Sequence, residues 1–376
     1  MKIAIMTQPL GTNYGGIMQA WALQQVLKRM GHEPVTIDRQ PDSRSLAYRG
    51  ARRVYRILNS AIGKGKSPIV PECTLATITT HPREFIRSHL AMSPMIDSTE
   101  KLRAHFAAEG YQAVIVGSDQ TWRPIYSPNL YNYFLDFLPN RSIKKLAYAS
   151  SFGVDHWEFS PQDTKKCANL VRDFDFISVR ETSGVTLCEQ HLGVTAHAVL
   201  DPTLLLTAED YTALLNKKSS HTESEGGLYT YLLDKTAAKK SIVGKLSEEL
   251  GLKIFKHQSE ESITDWKGGP IEKYLMPPVV DWLSGFKRAD FVVTDSFHGM
   301  VFSIIFGKPF IVILNPDRGS TRFESLLEQL GLSDRIISDQ HPLTHNKSNI
   351  AYKKPHSSAL TNLRQKSLEI LSAHIR

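Results

Sequence analysis

Three cysteines in 376 residues, Cys73, Cys167 and Cys188, are too few and too widely spaced for a disulfide framework or a thiolate metal site. Reduced thiols are expected. No run of about 18 apolar residues occurs, so no membrane-spanning helix is expected. The chain opens Met1-Lys2-Ile3-Ala4-Ile5-Met6-Thr7, straight into strand-like sequence, without the apolar stretch and cleavage site of a signal peptide. Together these absences point to the cytoplasm. No His/Asp/Glu cluster has metal-ligand spacing, so no metal is expected. No nucleic-acid module motif, internal repeat or low-complexity tract is present.

What is there is globular. Apolar residues make up 41% and charged residues 22%, enough for a large core under a polar surface. The length fits two domains better than one. The net charge of +7 calls for an acidic partner: a phosphorylated metabolite, an anionic glycan or a membrane surface. Arg44 to Lys66 holds seven basic residues and no acid, with Ala51, Tyr55, Leu58 and Ile62 on one helical face. That segment reads either as an excursion with a solvated face or as a strip lying on an anionic membrane surface.

The pattern repeats strand, small polar turn, helix. Lys2–Thr7 is a strand, Ile17–Met30 a helix stopped by Gly31, and Val35–Asp38 a second strand. The loop between them, Gly11-Thr12-Asn13-Tyr14-Gly15-Gly16, has G-x-x-x-G-G spacing rather than the dinucleotide fingerprint G-x-G-x-x-G. It reads as a substrate-binding loop over a helix N-terminus, which makes Asn13, Tyr14, Gly15 and Gly16 candidate contacts. Residues 63–80 read as a loop. Ala113–Val116 is a buried strand whose turn carries Ser118, Asp119 and Arg123. Asp119 is a candidate base or hydroxyl-positioning group, and Arg123 a candidate anion grip. Lys145–Ser151 is a strand, and Phe176–Glu181 is a strand that delivers Arg180 at its carboxyl end. Residues 201–206 read as a linker, dividing the chain into domains 1–203 and 204–376.

In the second half a strand-like run, Phe291–Thr294, leads into Asp295-Ser296 and a helix over 297–306. Gly307 and Pro309 stop it. Ligands of such units sit outside the strand ends, against helix N-termini whose free N–H groups favour anions. His298 lies in that first turn and is a candidate proton donor, with Asp295 as a candidate base and Ser296 and Gly299 as contacts. Thr321 caps a later helix carrying Arg322, a further anion grip or a surface residue. A last helix, 357–374, has the length to pack back on the first domain. The alternation of strands and helices makes the fold class α/β.

The ordered set of motifs resembles the polysaccharide pyruvyl transferase family. The blocks are Asn13-Tyr14-Gly15-Gly16 with Gln19-Ala20-Trp21-Ala22-Leu23, and Val116-Gly117-Ser118-Asp119-Gln120-Thr121-Trp122. Tyr148-Ala149-Ser150-Ser151-Phe152-Gly153, Ser178-Val179-Arg180-Glu181, Asp201-Pro202-Thr203 and Thr294-Asp295-Ser296-Phe297-His298-Gly299 follow in order. The resemblance implies two Rossmann-like domains in a GT-B-like arrangement with the site in a central cleft. It implies phosphoenolpyruvate as donor substrate, no other cofactor, and formation of a pyruvyl ketal on a sugar residue of a cell-surface or exopolysaccharide. The acceptor is then a saccharide, lipid-linked in one version, at the inner face of the membrane. The family histidine falls on His298 and a family arginine on Arg180. An Arg-Leu-His tripeptide of better-described members is Ser296-Phe297-His298 here, so Arg322, Arg318 or Arg123 is expected to replace the missing arginine. The alternatives are a GT-B glycosyltransferase using a nucleotide-sugar and a non-catalytic glycan- or metabolite-binding protein.

Overall fold

The structure is a computed structural model. It describes residues 1–42, 70–138, 142–216, 226–263, 266, 268–314, 319–338 and 357–376. The basic Arg44–Lys66 segment and Arg318 lie outside the described residues.

Two parallel sheets organise the chain. The first contains β1 (Lys2–Met6), β2 (Glu33–Thr36), β3 (Ala113–Val116), β4 (Lys144–Ser150), β5 (Phe176–Val179) and β6 (His197–Ala198). The second contains β7 (Leu228–Tyr231), β8 (Ile254–Phe255), β9 (Phe291–Thr294), β10 (Phe310–Ile313) and β11 (Ile336–Ile337). The first runs β2-β1-β3-β4-β5-β6 and the second, read from the same side, β8-β7-β9-β10-β11. Both therefore reverse direction at their first strand, and ligands of open parallel sheets bind at such reversals. The central strands Ala113–Val116, Phe176–Val179, Phe291–Thr294 and Phe310–Ile313 are buried at every position, and all their residues but Ser178 and Thr294 are apolar. Helices cover both faces, so no strand needs a polar side.

The first helix runs Tyr14–Arg29, starting three residues before the expected Ile17. Gly15 and Gly16 therefore lie in its first turn and not in a loop, because β1 ends at Met6 and the turn is shorter than its glycines suggest. Part of the expected loop 63–80 is the helix Glu72–Ile78. Residues 201–206, the expected linker, are buried. Asp201 caps a helical turn, Pro202–Leu205, whose four residues are buried. Leu204, Leu205 and Leu206 belong to the same core as Trp21 and Leu23 of the first helix. The apolar run explains the burial, since removing it from water stabilises at about 25 cal/mol per Å².

The final helix, Ser357–Ile375, returns to the first sheet. Ser367 Oγ accepts from Leu200 N at 3.1 Å, Arg364 Nε donates to Leu204 O at 2.7 Å, and His374 stacks on Phe176 at 3.8 Å. The two halves also meet directly. Tyr14 stacks on Trp282 at 5.1 Å and donates its hydroxyl to Pro277 O at 2.7 Å. Thr182 N donates to Ser325 Oγ at 3.3 Å. A Cβ on Gly319 would lie 1.9 Å from Gly153 O, so the two turns touch through backbone alone.

Candidate active site

The carboxyl ends of both sheets face one seam. From the first sheet, β3 leads into Gly117-Ser118-Asp119, with Asp119 at φ 76°, a left-handed conformation that a non-glycine residue adopts at a cost. From the second sheet, β9 leads into Asp295-Ser296 and the helix Phe297–Ile305. Ser296 Oγ accepts from Gly299 N at 3.4 Å, the expected cap. Gly299 has no room for a side chain, since a Cβ would lie 2.2 Å from Thr294 Oγ1.

His298 is buried in the first turn of that helix. A Cβ on Gly15 would lie 2.1 Å from its Nδ1, so the start of the first helix is pressed against the imidazole. Its Nε2 faces Asp201 Oδ2 at 3.7 Å. At that distance the contact is electrostatic, and Nε2 has no hydrogen-bond partner among the described residues.

Asp201 is the hub. Its Oδ2 accepts from Ser118 Oγ at 2.9 Å and from Arg180 Nη1 at 3.0 Å. Its Oδ1 accepts from Thr203 N at 3.0 Å and Thr203 Oγ1 at 2.7 Å. Burial alone would raise this carboxyl group. The charges of His298 and Arg180 and the hydrogen bonds outweigh burial and hold it well below the usual carboxylate range. A fully buried charge is tolerated only when so satisfied. Asp201 is not among the residues the sequence singles out as functional. The available signal was Asp-Pro-Thr, a capping residue followed by proline at the first helical position.

Arg180 is nearly enclosed, with 7% of its surface exposed, yet its Nε and Nη2 have no hydrogen-bond partner among the described residues. Nη2 comes only within 3.9 Å of Asp119 Oδ1. Its guanidinium lies 4.5 Å from the Phe297 ring. Arg322, half-buried, lies 5.7 Å from the same ring. Arg322 is pushed down to about 10, first by burial and then by the charge of Arg180, with Asp119 and Glu181 partly offsetting them. Two cations thus share one aromatic ring beside a histidine and a helix N-terminus. Asp119 Oδ1 accepts from Gln120 N at 2.9 Å.

Glu181, next to Arg180, holds the opposite wall. Its Oε1 accepts from Ser151 Oγ at 2.9 Å, Phe152 N at 2.8 Å and Gly153 N at 3.2 Å. Like Asp201, it is a buried carboxylate that the motifs contain and the candidate residues omit.

Other expected site residues serve the scaffold. Arg123 makes a bidentate ion pair with Glu158, both bonds at 2.9 Å, and is not an open anion grip. Asp295 accepts from Leu233 N at 2.6 Å, Asp234 N at 3.1 Å and Lys239 Nζ, so it ties β9 to the turn after β7 and is not a free base. Tyr14 fastens the seam through Trp282 and Pro277. Asn13 is exposed at the helix start and makes no side-chain cap bond; a Cβ on Gly16 would lie 3.2 Å from its Nδ2. The arrangement therefore joins His298, Gly15, Ser118, Asp119, Arg180, Ser296, Gly299 and Arg322, and adds Asp201 and Glu181.

The family model for polysaccharide pyruvyl transferase matches residues 13–318. The chain belongs to that family. The matched stretch contains Gly15, Asp119, Arg180, Asp201 and His298, while Arg322 falls just beyond it. Solved structures share the fold. The Arabidopsis thaliana protein UGT89C1, complexed with UDP-L-rhamnose, aligns over 100% of this chain and 98% of its own at 10% identity and a TM-score of 0.52. The S. aureus MnaA–UDP co-structure aligns over 100% and 95% at 12% identity and a TM-score of 0.51. These neighbours place the family member in the GT-B fold. No curated protein matches the chain. Among the described residues no helix is long and apolar enough to cross a membrane.

Proposed function

We propose that this transferase takes the pyruvyl group of phosphoenolpyruvate and closes it as a ketal across two hydroxyls of a saccharide. One observation carries the donor assignment: Arg180 is nearly enclosed while two of its nitrogens lack hydrogen-bond partners among the described residues, and Arg322 lies against the same phenylalanine. A small anion bound against Phe297 would meet both guanidinium groups. Phosphoenolpyruvate carries a carboxylate and a phosphate on three carbons, a charge density that matches two arginines and a helix N-terminus. Arg322 thereby stands in for the arginine that Ser296 replaces.

In this mechanism protonated His298 delivers its proton to C3 of the enol, which becomes the methyl group. Positive charge develops at C2. One sugar hydroxyl attacks C2, and Asp119 accepts its proton. The C2–O bond to phosphate then breaks, a second hydroxyl attacks C2, and the departing phosphate takes the second proton. The products are the ketal and inorganic phosphate. Asp201 compensates the charge on His298 and fixes Arg180, acting through both and touching neither reactant. A nucleotide-sugar glycosyltransferase would draw its support from fold likeness alone, which does not decide chemistry.

The test is phosphate release from phosphoenolpyruvate in the presence of a panel of saccharides. His298→Gln is expected to slow release at least about 100-fold, the contribution of a positioned acid, while phosphoenolpyruvate still binds. Full activity in that variant would exclude the role.

A further inference from the structure

The turn that follows Asp119 carries a tyrosine at the edge of the site. Trp122 anchors that turn: its side chain is wholly buried and its Nε1 donates to Tyr133 O at 3.0 Å. Pro124 shapes the next bend, which Tyr126 N closes on Arg123 O at 3.1 Å. Ser127 Oγ donates to Thr121 O at 2.7 Å, and Gln8 Nε2 donates to Ser127 Oγ at 3.1 Å. The bend is thus tied to itself and to the loop after β1. Two large apolar side chains are left outside it, Ile125 at 65% exposure and Tyr126 at 47%. Met95 and Ile254 are the other large apolar side chains so exposed among the described residues, and each stands elsewhere in the chain. Single exposed apolar residues are ordinary, whereas a pair at the rim of a site marks a contact surface.

The tyrosine ring is also held in place. The Arg123 guanidinium lies over it, 5.1 Å from its centroid, and both bonds of that guanidinium to Glu158 hold it there. One face of the ring therefore rests on a fixed ion pair while nearly half of the residue stays open. A ring ordered without being buried has already lost the freedom that binding would otherwise cost.

Its position joins it to the chemistry. Arg123 Nη1 donates to Gln120 Oε1 at 3.3 Å, and a Cβ on Gly153 would lie 2.0 Å from that same oxygen. Gly153 O in turn meets Gly319, in the turn that leads to Arg322. Tyr126 lies within Coulombic reach of Arg322, as Asp119 and Glu181 do. The donor is small and anionic and is met by the arginines. An open, uncharged ring face beside Asp119 suits the other reactant. A sugar ring has a face of C–H groups, which packs on an aromatic, and a circumference of hydroxyls, which stays with water and polar groups.

We propose that Tyr126 is the acceptor platform, stacking one sugar residue of the saccharide so that its hydroxyls, or those of the residue next to it, reach Asp119. This assignment rests on the pyruvyl-transfer reading. Being open, the platform holds one residue of a longer chain without having to enclose it. Ile125 extends the apolar surface beside the ring.

The experiment is saturation-transfer NMR on the full chain with phosphoenolpyruvate present. The probes are the methyl glycosides of glucose, galactose, mannose and N-acetylglucosamine, each at millimolar concentration, with UDP in a separate arm. Wild type is expected to give transfer to at least one glycoside, strongest at the C–H protons of one ring face. Tyr126→Ala should lower it at least about fivefold, the lower end of what removing an aromatic from a stack costs, and Tyr126→Phe should restore it. The thermal shift with phosphoenolpyruvate should persist in both variants. Transfer unchanged in Tyr126→Ala, no transfer to any glycoside, transfer to UDP alone, or a Tyr126→Phe variant as impaired as Tyr126→Ala would each overturn the platform. Loss of the phosphoenolpyruvate shift along with transfer in Tyr126→Ala would mean that the whole turn has moved, and would overturn it too. If wild type shows no shift with phosphoenolpyruvate while glycoside transfer still depends on the Tyr126 ring, the platform stands and the donor assignment falls.

Discussion

Asp201→Asn removes one charge and little volume from the hub, and its cost can be worked from the contacts. Asp201 Oδ2 is the hydrogen-bonded acceptor of Arg180 Nη1, with both side chains almost wholly buried. Breaking a buried pair by neutralising one partner costs about 3–5 kcal/mol, because the other charge is left uncompensated. Arg180 has little in reserve, since Nε and Nη2 already lack partners among the described residues. The other bonds, to Ser118 and Thr203, are worth about 1 kcal/mol each and survive in part on the amide oxygen. A unit of 150–250 residues shifts by about 2–4 °C per kcal/mol, so the thermal midpoint should fall on the order of 10 °C. The sign is checked by the double variant. Arg180→Met removes the orphaned charge, so Arg180→Met/Asp201→Asn should be more stable than Asp201→Asn alone. The pH profile gives a second check. Asp201 is depressed in the folded state, so the unfolded chain takes up its proton first as pH falls. Its stabilisation is therefore present above about pH 4 and is lost progressively below, and Asp201→Asn should flatten that acid limb. Scanning calorimetry across pH measures both. A fall under about 1 kcal/mol, or a double variant no better than the single, would refute the hub.

Two further substitutions separate the site from its scaffold. Gly15→Ala puts a methyl group where His298 sits, with a would-be separation of 2.1 Å. It should cut turnover on the order of 100-fold while the protein still folds, because a small misplacement of a reacting group costs that much; kcat with circular dichroism checks it. Arg123→Gln breaks the bidentate pair with Glu158 and should cost about 1–3 kcal/mol in thermal denaturation. Its affinity for phosphoenolpyruvate by calorimetry should be unchanged, since its guanidinium is engaged in the scaffold.

Much of this architecture is legible in the chain. Val114, Ile177, Val292 and Ile311 sit in short, mostly apolar runs because parallel strands are covered on both faces. His298 and Arg180 are legible because each follows such a run, at the strand end where ligands bind. Asp201 is not, because β6 is only two residues long and its partner Arg180 lies 21 residues upstream. Asp295 and Arg123 look available in sequence for a similar reason. Their partners, Lys239 at 56 residues and Glu158 at 35 residues, are brought in by tertiary folding. Gly15 reads as a contact in a substrate-binding loop, and only the folded seam reveals that it makes room for His298.

The most direct test of the central claim is a thermal-shift titration with phosphoenolpyruvate on wild type and Arg322→Gln. At 100 times its Kd a ligand adds about 2.7 kcal/mol, a rise of several degrees. Wild type should show that rise with phosphoenolpyruvate and not with UDP. Loss of one charged grip worth about 1.5–3 kcal/mol should move the Arg322→Gln titration to roughly 10- to 150-fold higher concentration. No shift in wild type, or a titration that Arg322→Gln leaves in place, would contradict the account.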